Sequence, residues 1–143
     1  TGLIGMWKAF VEIKSMGWVN DPLPRMVAAQ STGCAPVVKA FQERQRDTDF
    51  WENSDTVALG LNVPGPLGGA WILNILRESK GIAIMIDEQR LKALTEEFNN
   101  LTSINSSDEG GVVWGAYSHL KKVGWIKPKE RSVIFATGIE RIK

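Results

Sequence analysis

The 143-residue chain has 43% hydrophobic residues, 23% charged residues and a formal net charge of +1, as expected for about one globular domain. Its 17 basic and 16 acidic residues nearly balance, so nucleic acid is not expected as a partner. No apolar run approaches the roughly 18 residues of a membrane span, and no signal peptide is visible. The chain is therefore predicted to be cytoplasmic and to bind no membrane. One cysteine and one histidine are too few for a zinc site.

Hydrophobic periodicity predicts an alternation of helices and strands along the chain. Apolar residues recur at spacings of three and four from Leu3 to Ile13, which predicts a helix almost from the first residue. Short, wholly apolar segments typical of buried strands lie at residues 26–29, 82–86 and 133–136. Further helices are predicted at residues 35–43, 67–78, 88–98 and 111–123. This order favours one α/β segment over residues 1–143, with a mostly parallel sheet and flanking helices.

Turn signals mark the ends of several of these elements. Helices are predicted to end at Gly17, Gly81 and Gly124, because glycine enters the left-handed conformation without steric cost. Trp18 and Trp125 follow two of these glycines and are expected to fill the corners before the next strands. Residues 48–65 are irregular, with at most one short strand at 57–61, and residues 99–109 are expected to form an exposed connection.

The predicted sheet has only three or four strands, which is narrow for a complete doubly wound domain. Its outer strands would expose unpaired backbone groups. The chain also begins with Thr1-Gly2, without methionine, directly before a helix. We therefore expect the chain to be a piece of a longer protein and the sheet to be completed by other polypeptide.

Ligands of open parallel sheets bind beyond the carboxyl ends of the strands. The residues there are QSTG at 30–33, Asp87-Glu88 and Thr137-Gly138. The first and third sets offer hydroxyl groups and backbone amides, which suit a small polar ring or a phosphate better than a metal. Asp87 directly precedes a helix and is expected to be its N-cap.

Thr1-Gly2 before a helix is half of an anion site, in which free amides and the helix dipole converge on a phosphate. An ordinary turn is the competing interpretation. Glu109, with two glycines after it, opens another helix and is interpreted either as part of a similar loop or as a carboxylate near the positive helix end.

The sequence indicates no catalytic residue. Cys34 stands at a helix start, where the dipole could activate a thiol, but core packing is the favoured interpretation. His119 has no acidic or serine partner at readable spacing, so a surface or cap role is favoured. No complete nucleophile, paired-carboxylate or nucleotide-loop signature is present.

Taken together, nine segments resemble the C-terminal portion of threonine synthase, in the family's order and approximate spacing over nearly the whole chain. The segments are TGLI at 1–4 with WKAF at 7–10, PRMVAAQ at 24–30, GCAP at 33–36, GLNVP at 60–64, PLG at 66–68, LRESKG at 76–81, EG at 109–110, GWI at 124–126 and TG at 137–138.

This resemblance implies the tryptophan synthase β-like fold, fold-type II among pyridoxal phosphate enzymes, with the chain forming the C-terminal part of its large domain. It implies conversion of O-phospho-L-homoserine and water to L-threonine and phosphate, with pyridoxal 5′-phosphate as electron sink. Thr1 and Gly2 would end the glycine loop that holds the cofactor phosphate. Thr137 would place its hydroxyl against the pyridine nitrogen.

The resemblance also implies what this chain lacks. The family's Schiff-base lysine lies before the glycine loop, so no lysine here is nominated, and Lys8, Lys14 and Lys143 are interpreted as helix surface or tail. The implied partners are the N-terminal half of the same enzyme, an amino-acid substrate and further copies in a homo-oligomer. The family's usual ending places Gly-Leu-Lys after Thr-Gly, whereas Glu140 here brings a carboxylate near the expected cofactor ring.

Three alternatives to threonine synthase remain open. Threonine or serine dehydratase and cysteate synthase use the same scaffold, and their substrate choice depends largely on loops outside this chain. A non-catalytic α/β binding module is the third.

Overall fold

A computed structural model describes residues 2–139 of the chain. Thr1, Glu140 and Lys143 lie outside the described residues. In chain order the elements are α1 (Gly2–Ser15), β1 (Val27–Ser31), α2 (Pro36–Gln42), α3 (Gly69–Glu78), β2 (Ile82–Ile86), α4 (Leu91–Thr102) and α5 (Asp108–Lys122). Short 3₁₀ turns lie at Leu59–Leu61 and Glu88–Arg90. Within residues 2–139, no helix has the length and apolar character needed to cross a membrane.

The described sheet consists of β1 and β2, which pair in parallel from Val27 opposite Ile82 to Ser31 opposite Ile86. Helices pack on both of its faces. Ala83 and Met85 of β2 face a core formed with α1, α2 and α3, whereas Ile84 and Ile86 face a second core formed with α4 and α5. The predicted fold class, an α/β arrangement with a parallel sheet and flanking helices, is confirmed.

The predicted strand at residues 133–136 is wrong. These residues form no ladder, and Val133 is 95% exposed and Phe135 53% exposed. Three residues after this segment, Ile139 forms an isolated antiparallel bridge with Ser106. An apolar run becomes a strand only when another strand offers its backbone groups, and sequence periodicity does not report that partner.

The predicted strand at residues 57–61 is also wrong, because the segment contains the 3₁₀ turn Leu59–Leu61. Two of its backbone amides donate hydrogen bonds to carboxylates and not to a neighbouring strand. Val57 N donates to Glu88 Oε1 at 2.6 Å, and Gly60 N donates to Glu109 Oε1 at 2.6 Å. Side chains that are distant in sequence therefore decide the conformation of this loop.

The exposed connection predicted at residues 99–109 is confirmed for residues 100–105, which are exposed, but not for the rest of the segment. Helix α4 continues to Thr102, α5 begins at Asp108, and Ser106 is fully buried. Asn99 makes this burial possible, because its Nδ2 donates to Ser106 O at 3.1 Å and its Oδ1 accepts from Ser106 N at 2.9 Å. A buried polar group is tolerated when it is hydrogen-bonded.

Two of the three predicted glycine ends are confirmed, since Gly17 and Gly124 have φ of 73° and 72°. The third is wrong, because Lys80, with φ of 54°, takes the left-handed position before Gly81. The N-cap prediction for Asp87 is confirmed: its Oδ1 accepts from Gln89 N at 3.1 Å, at the turn that leads into α4.

The corner prediction holds for one tryptophan and fails for the other. Trp125 is half-buried beneath the guanidinium of Arg25, which lies 3.6 Å from the ring centroid. Trp18 is 74% exposed, so it fills no corner within the described residues. The similar sequences at the two corners therefore pack differently: within residues 2–139 an arginine covers Trp125, and none covers Trp18.

Candidate functional site

The polar side chains at the carboxyl end of β1 are engaged in internal hydrogen bonds. The buried hydroxyl of Ser31 donates to Glu88 Oε2, and Thr32 Oγ1 accepts from Glu88 N at 2.9 Å. Gln30 Oε1 accepts from Val38 N at 3.1 Å, at the start of α2. Ser31 and Thr32 therefore join the carboxyl end of β1 to Glu88, which follows β2, and Gln30 joins β1 to α2. These internal hydrogen bonds reduce the capacity of the three side chains to bind a ligand.

Gly33 makes a close approach to a neighbouring loop. A Cβ atom there would lie 1.8 Å from Asp55 O and 3.0 Å from Glu88 Oε2. The Gly33 carbonyl accepts from Trp51 Nε1 at 3.1 Å and from Asp55 N at 3.0 Å. The loop after β1 is thereby tied to residues 51–55.

Glu109 links the loop at Gly60 to the start of α5. Besides accepting from Gly60 N, its carboxylate accepts a hydrogen bond from the Ser107 hydroxyl through Oε2. Glu109 lies in the first turn of α5, where the helix dipole favours a negative charge. The interpretation of Glu109 as a carboxylate at a positive helix end is confirmed, but its links to Gly60 and Ser107 were not foreseen.

Gly138 lies against the same carboxylate. A Cβ atom on Gly138 would lie 1.9 Å from Ser107 Oγ and 3.0 Å from Glu109 Oε2, so a larger residue would force the Ser107 side chain to move. Ser107 N donates to Gly138 O at 3.4 Å, and Ile139 bridges to Ser106. The Thr137-Gly138 pair is thus held beside the first turn of α5.

The same tail passes close to the amino end of α1. Phe135 Cε1 lies 3.7 Å from the position that a Cβ on Gly2 would occupy. The first amides of α1 have no partner within the helix, and the dipole makes this end positive. The Thr137 hydroxyl is on an exposed residue and makes no hydrogen bond within residues 2–139. Phe135, two residues before Thr137, therefore brings this tail next to the glycine that opens α1.

Cys34 and His119 take the roles that the sequence favours. Cys34 is fully buried, and desolvation raises the pKa of its thiol, while a backbone hydrogen bond at Val63 opposes that shift. A thiol with a raised pKa is a poor nucleophile. His119 is exposed near the end of α5.

Sequence reasoning missed the roles of Glu88 and Glu109 in holding loops. The available signal was a set of glycines after the predicted strands and in the intervening loop, at Gly33, Gly60 and Gly138. Each of these glycines lies where an added Cβ would be within 3.0 Å of a carboxylate oxygen. Spacing in the sequence does not reveal which acidic residue faces which glycine.

Residues 1–138 match the profile of the family described as pyridoxal-phosphate dependent enzyme. The chain belongs to this family.

Two curated relatives are threonine synthases. The protein from Methanosarcina acetivorans is 27% identical over 136 residues, and the one from Methanocaldococcus jannaschii is 26% identical over 133 residues. These alignments cover 95% and 93% of this chain but 33% of each relative, so the chain spans about a third of the length of the curated relatives it matches.

Among solved structures, maize serine racemase shares the fold. The superposition has a TM-score of 0.57 and 14% sequence identity, and it covers 72% of this chain and 31% of the racemase chain.

The family's cofactor is pyridoxal phosphate, and the described geometry fits this group in two respects. The amino end of α1, opened by a glycine, suits a phosphate, because unpaired amides and the dipole both favour an anion there. The exposed hydroxyl of Thr137 suits a neutral ring nitrogen. The assignments of Thr1, Gly2 and Thr137 as cofactor ligands stay predictions.

Proposed function

We propose that this chain is the C-terminal part of a threonine synthase, which converts O-phospho-L-homoserine and water to L-threonine and phosphate. The observation that carries the proposal is the approach of Phe135, two residues before Thr137, to Gly2 at the amino end of α1. The proposal is supported by the similarity to two threonine synthases over more than nine-tenths of the chain. An amino-acid substrate, a homo-oligomeric assembly and a cytoplasmic location belong to the same proposal.

In this function the chain supplies binding contacts and orientation. The α1 amino end, with Thr1 and Gly2, holds the cofactor phosphate through backbone amides. Thr137 holds the ring nitrogen through a neutral hydroxyl, which leaves that nitrogen without the proton that a carboxylate partner would stabilise. When bound, the cofactor supplies an electron sink for substitution at the substrate carbon chain.

The covalent lysine comes from polypeptide outside this chain in our proposal, which makes the chain inactive without its N-terminal half. The lysines of α1 support this view. Lys8 pairs with Glu12 on an exposed helix face, and Lys14 Nζ reaches Asp21 O at 3.4 Å, also on the surface. A nucleophilic lysine needs a desolvated amine, and neither position provides one.

The test is an assay of the full-length protein loaded with pyridoxal phosphate. We expect O-phospho-L-homoserine to yield threonine and phosphate in equal amounts. A 2-oxo acid formed from threonine or serine would instead identify a dehydratase, and sulfite incorporation would identify a cysteate synthase. Absence of cofactor binding by the full-length protein would leave the binding-module alternative and reject our proposal.

Thr137→Ala tests the ring-nitrogen assignment in the same protein. Loss of one hydrogen bond costs about 0.5–1.5 kcal/mol, so the dissociation constant of the cofactor should rise roughly 2- to 10-fold. Ser132→Ala is the matched control, because Ser132 is an exposed hydroxyl residue on the same tail. Equal cofactor affinity in the two variants would remove Thr137 from the site.

A further inference from the structure

Glu88 and Glu109 bind the 57–61 loop, at the carboxyl end of the sheet, through the same types of hydrogen bond. Each accepts a backbone amide of that loop at 2.6 Å, Glu88 from Val57 and Glu109 from Gly60. Each also accepts a serine hydroxyl, Glu88 from Ser31 and Glu109 from Ser107.

The two glutamates differ in what lies on their far side. Glu88 lies against Gly33, in the loop directly after β1. Glu109 lies against Gly138, next to Thr137, and its partner Ser107 also donates its backbone amide to Gly138 O. The Glu109 carboxylate therefore connects the 57–61 loop, the start of α5 and the tail that approaches α1.

From this arrangement we propose that Glu109 is a positioning residue, which fixes the Thr137-Gly138 pair at the cofactor site through Ser107. This inference rests on the proposed function for the role of Thr137. Glu109 fixes the Ser107 hydroxyl, and the space left by the missing Cβ of Gly138 receives that hydroxyl. Without the carboxylate, the Ser107 hydroxyl is free to rotate, and Gly138 loses the fixed side chain against which it packs.

Both glutamates tie down the same loop, so Glu88 provides a matched control for general loosening of that loop. Removal of either carboxylate frees one loop amide, but only the removal of Glu109 disturbs the support of Gly138. The pair of variants therefore separates a role in the loop from a role in positioning Thr137.

The experiment compares Glu109→Ala and Glu88→Ala in the full-length protein by amide hydrogen exchange. Loss of a charge-assisted hydrogen bond predicts exchange that is at least about tenfold faster at Gly60 in Glu109→Ala. Loosening of the contact between Ser107 N and Gly138 O predicts faster exchange at Ser107 in the same variant. In Glu88→Ala we expect faster exchange at Val57 and an unchanged rate at Ser107. Equal exchange at Ser107 in both variants, or no change in Glu109→Ala, would overturn the inference.

Cofactor binding gives the second readout. We expect the dissociation constant of pyridoxal phosphate to rise by up to about tenfold in Glu109→Ala, no more than in Thr137→Ala, with a shifted cofactor absorption band. Glu88→Ala should keep the wild-type band. Glu109→Gln should restore both properties, because its amide oxygen accepts from Gly60 and its amide nitrogen donates to Ser107 Oγ. A wild-type band in Glu109→Ala, or no rescue by glutamine, would contradict a positioning role.

The readouts also keep the two proposals separate. If Glu109→Ala does not fold, Ser107→Ala replaces it, and the same loss of cofactor affinity is expected without loss of the Gly60 contact. If the wild-type protein binds no pyridoxal phosphate, the proposed function fails and so does the assignment of this tail to a cofactor site. If the wild type binds it and the Glu109 and Glu88 variants behave alike, only the positioning role fails.

Discussion

At the scale of single residues, Lys80 and Gly81 show how packing can overrule a reliable local signal. A glycine after a helix normally takes the left-handed position. Here a Cβ on Gly81 would lie 1.9 Å from Met26 O, so glycine is required for close approach to the segment before β1. Lys80 therefore adopts the left-handed conformation, although its side chain disfavours it.

Substitutions at these two positions distinguish the two explanations for the glycine. Gly81→Ala should lower the free energy of unfolding by about 1–3 kcal/mol, because the added methyl group overlaps the Met26 backbone. Lys80→Gly should be neutral or stabilising by up to about 1 kcal/mol, because it relieves a left-handed residue. Chemical denaturation of both variants measures these changes.

Gly5→Ala is the control, since no atom lies within 4 Å of the added Cβ and the site is inside α1. It should stabilise by about 0.5–1 kcal/mol. The opposite result, a strongly destabilising Lys80→Gly and a neutral Gly81→Ala, would contradict both assignments. It would show that close approach to Met26 does not require Gly81 and that Lys80 is not strained by its left-handed conformation.

At the scale of elements, Arg25 fastens the segment before β1 to the segment after α5. Its guanidinium covers Trp125, donates to Trp125 O at 3.1 Å and pairs with Glu130 at 2.6 Å. Two hydrogen bonds to its carboxylate lower the pKa of Glu130: the larger effect comes from the backbone amide of Lys127 and the next from the Arg25 side chain. The two corners that look alike in the sequence are thus joined to each other at this point.

The lowered pKa of Glu130 predicts how this contact depends on pH. A carboxyl with a depressed folded-state pKa stabilises the fold fully above its ordinary value of 4.5, and this stabilisation is lost as the pH falls through the lower folded-state value. The difference in unfolding free energy between wild type and Glu130→Gln should therefore shrink as the pH falls from 7 to 3. Urea denaturation at several pH values measures it, and a constant difference would contradict the assignment.

At the scale of the whole molecule, the described sheet has two strands with helices on both faces, and large apolar side chains remain exposed. Two strands offer few paired backbone groups, and their outer edges are available to other polypeptide. The exposed apolar residues include Phe50, Leu59, Leu67, Trp71, Val133 and Phe135.

The isolated 143-residue chain should accordingly associate or fold poorly. Sedimentation should show a mass that rises with concentration, because exposed apolar surface and open strand edges favour self-association. Addition of the N-terminal half that our proposal requires should restore a defined assembly. A stable, cooperatively unfolding monomer of the isolated chain would contradict this expectation.

The sequence by itself determined the helices, the two paired strands, the α/β class and the resemblance that leads to the family. These features depend on periodicity within a few turns and on short motifs, which neighbouring residues encode. Only the tertiary structure decided that residues 133–136 form no strand, that Lys80 replaces Gly81 at the helix end, and that Glu109 connects Gly60 to the Thr137-Gly138 pair. These outcomes depend on backbone and carboxylate groups that become neighbours only after folding, so no local pattern in the sequence can specify them.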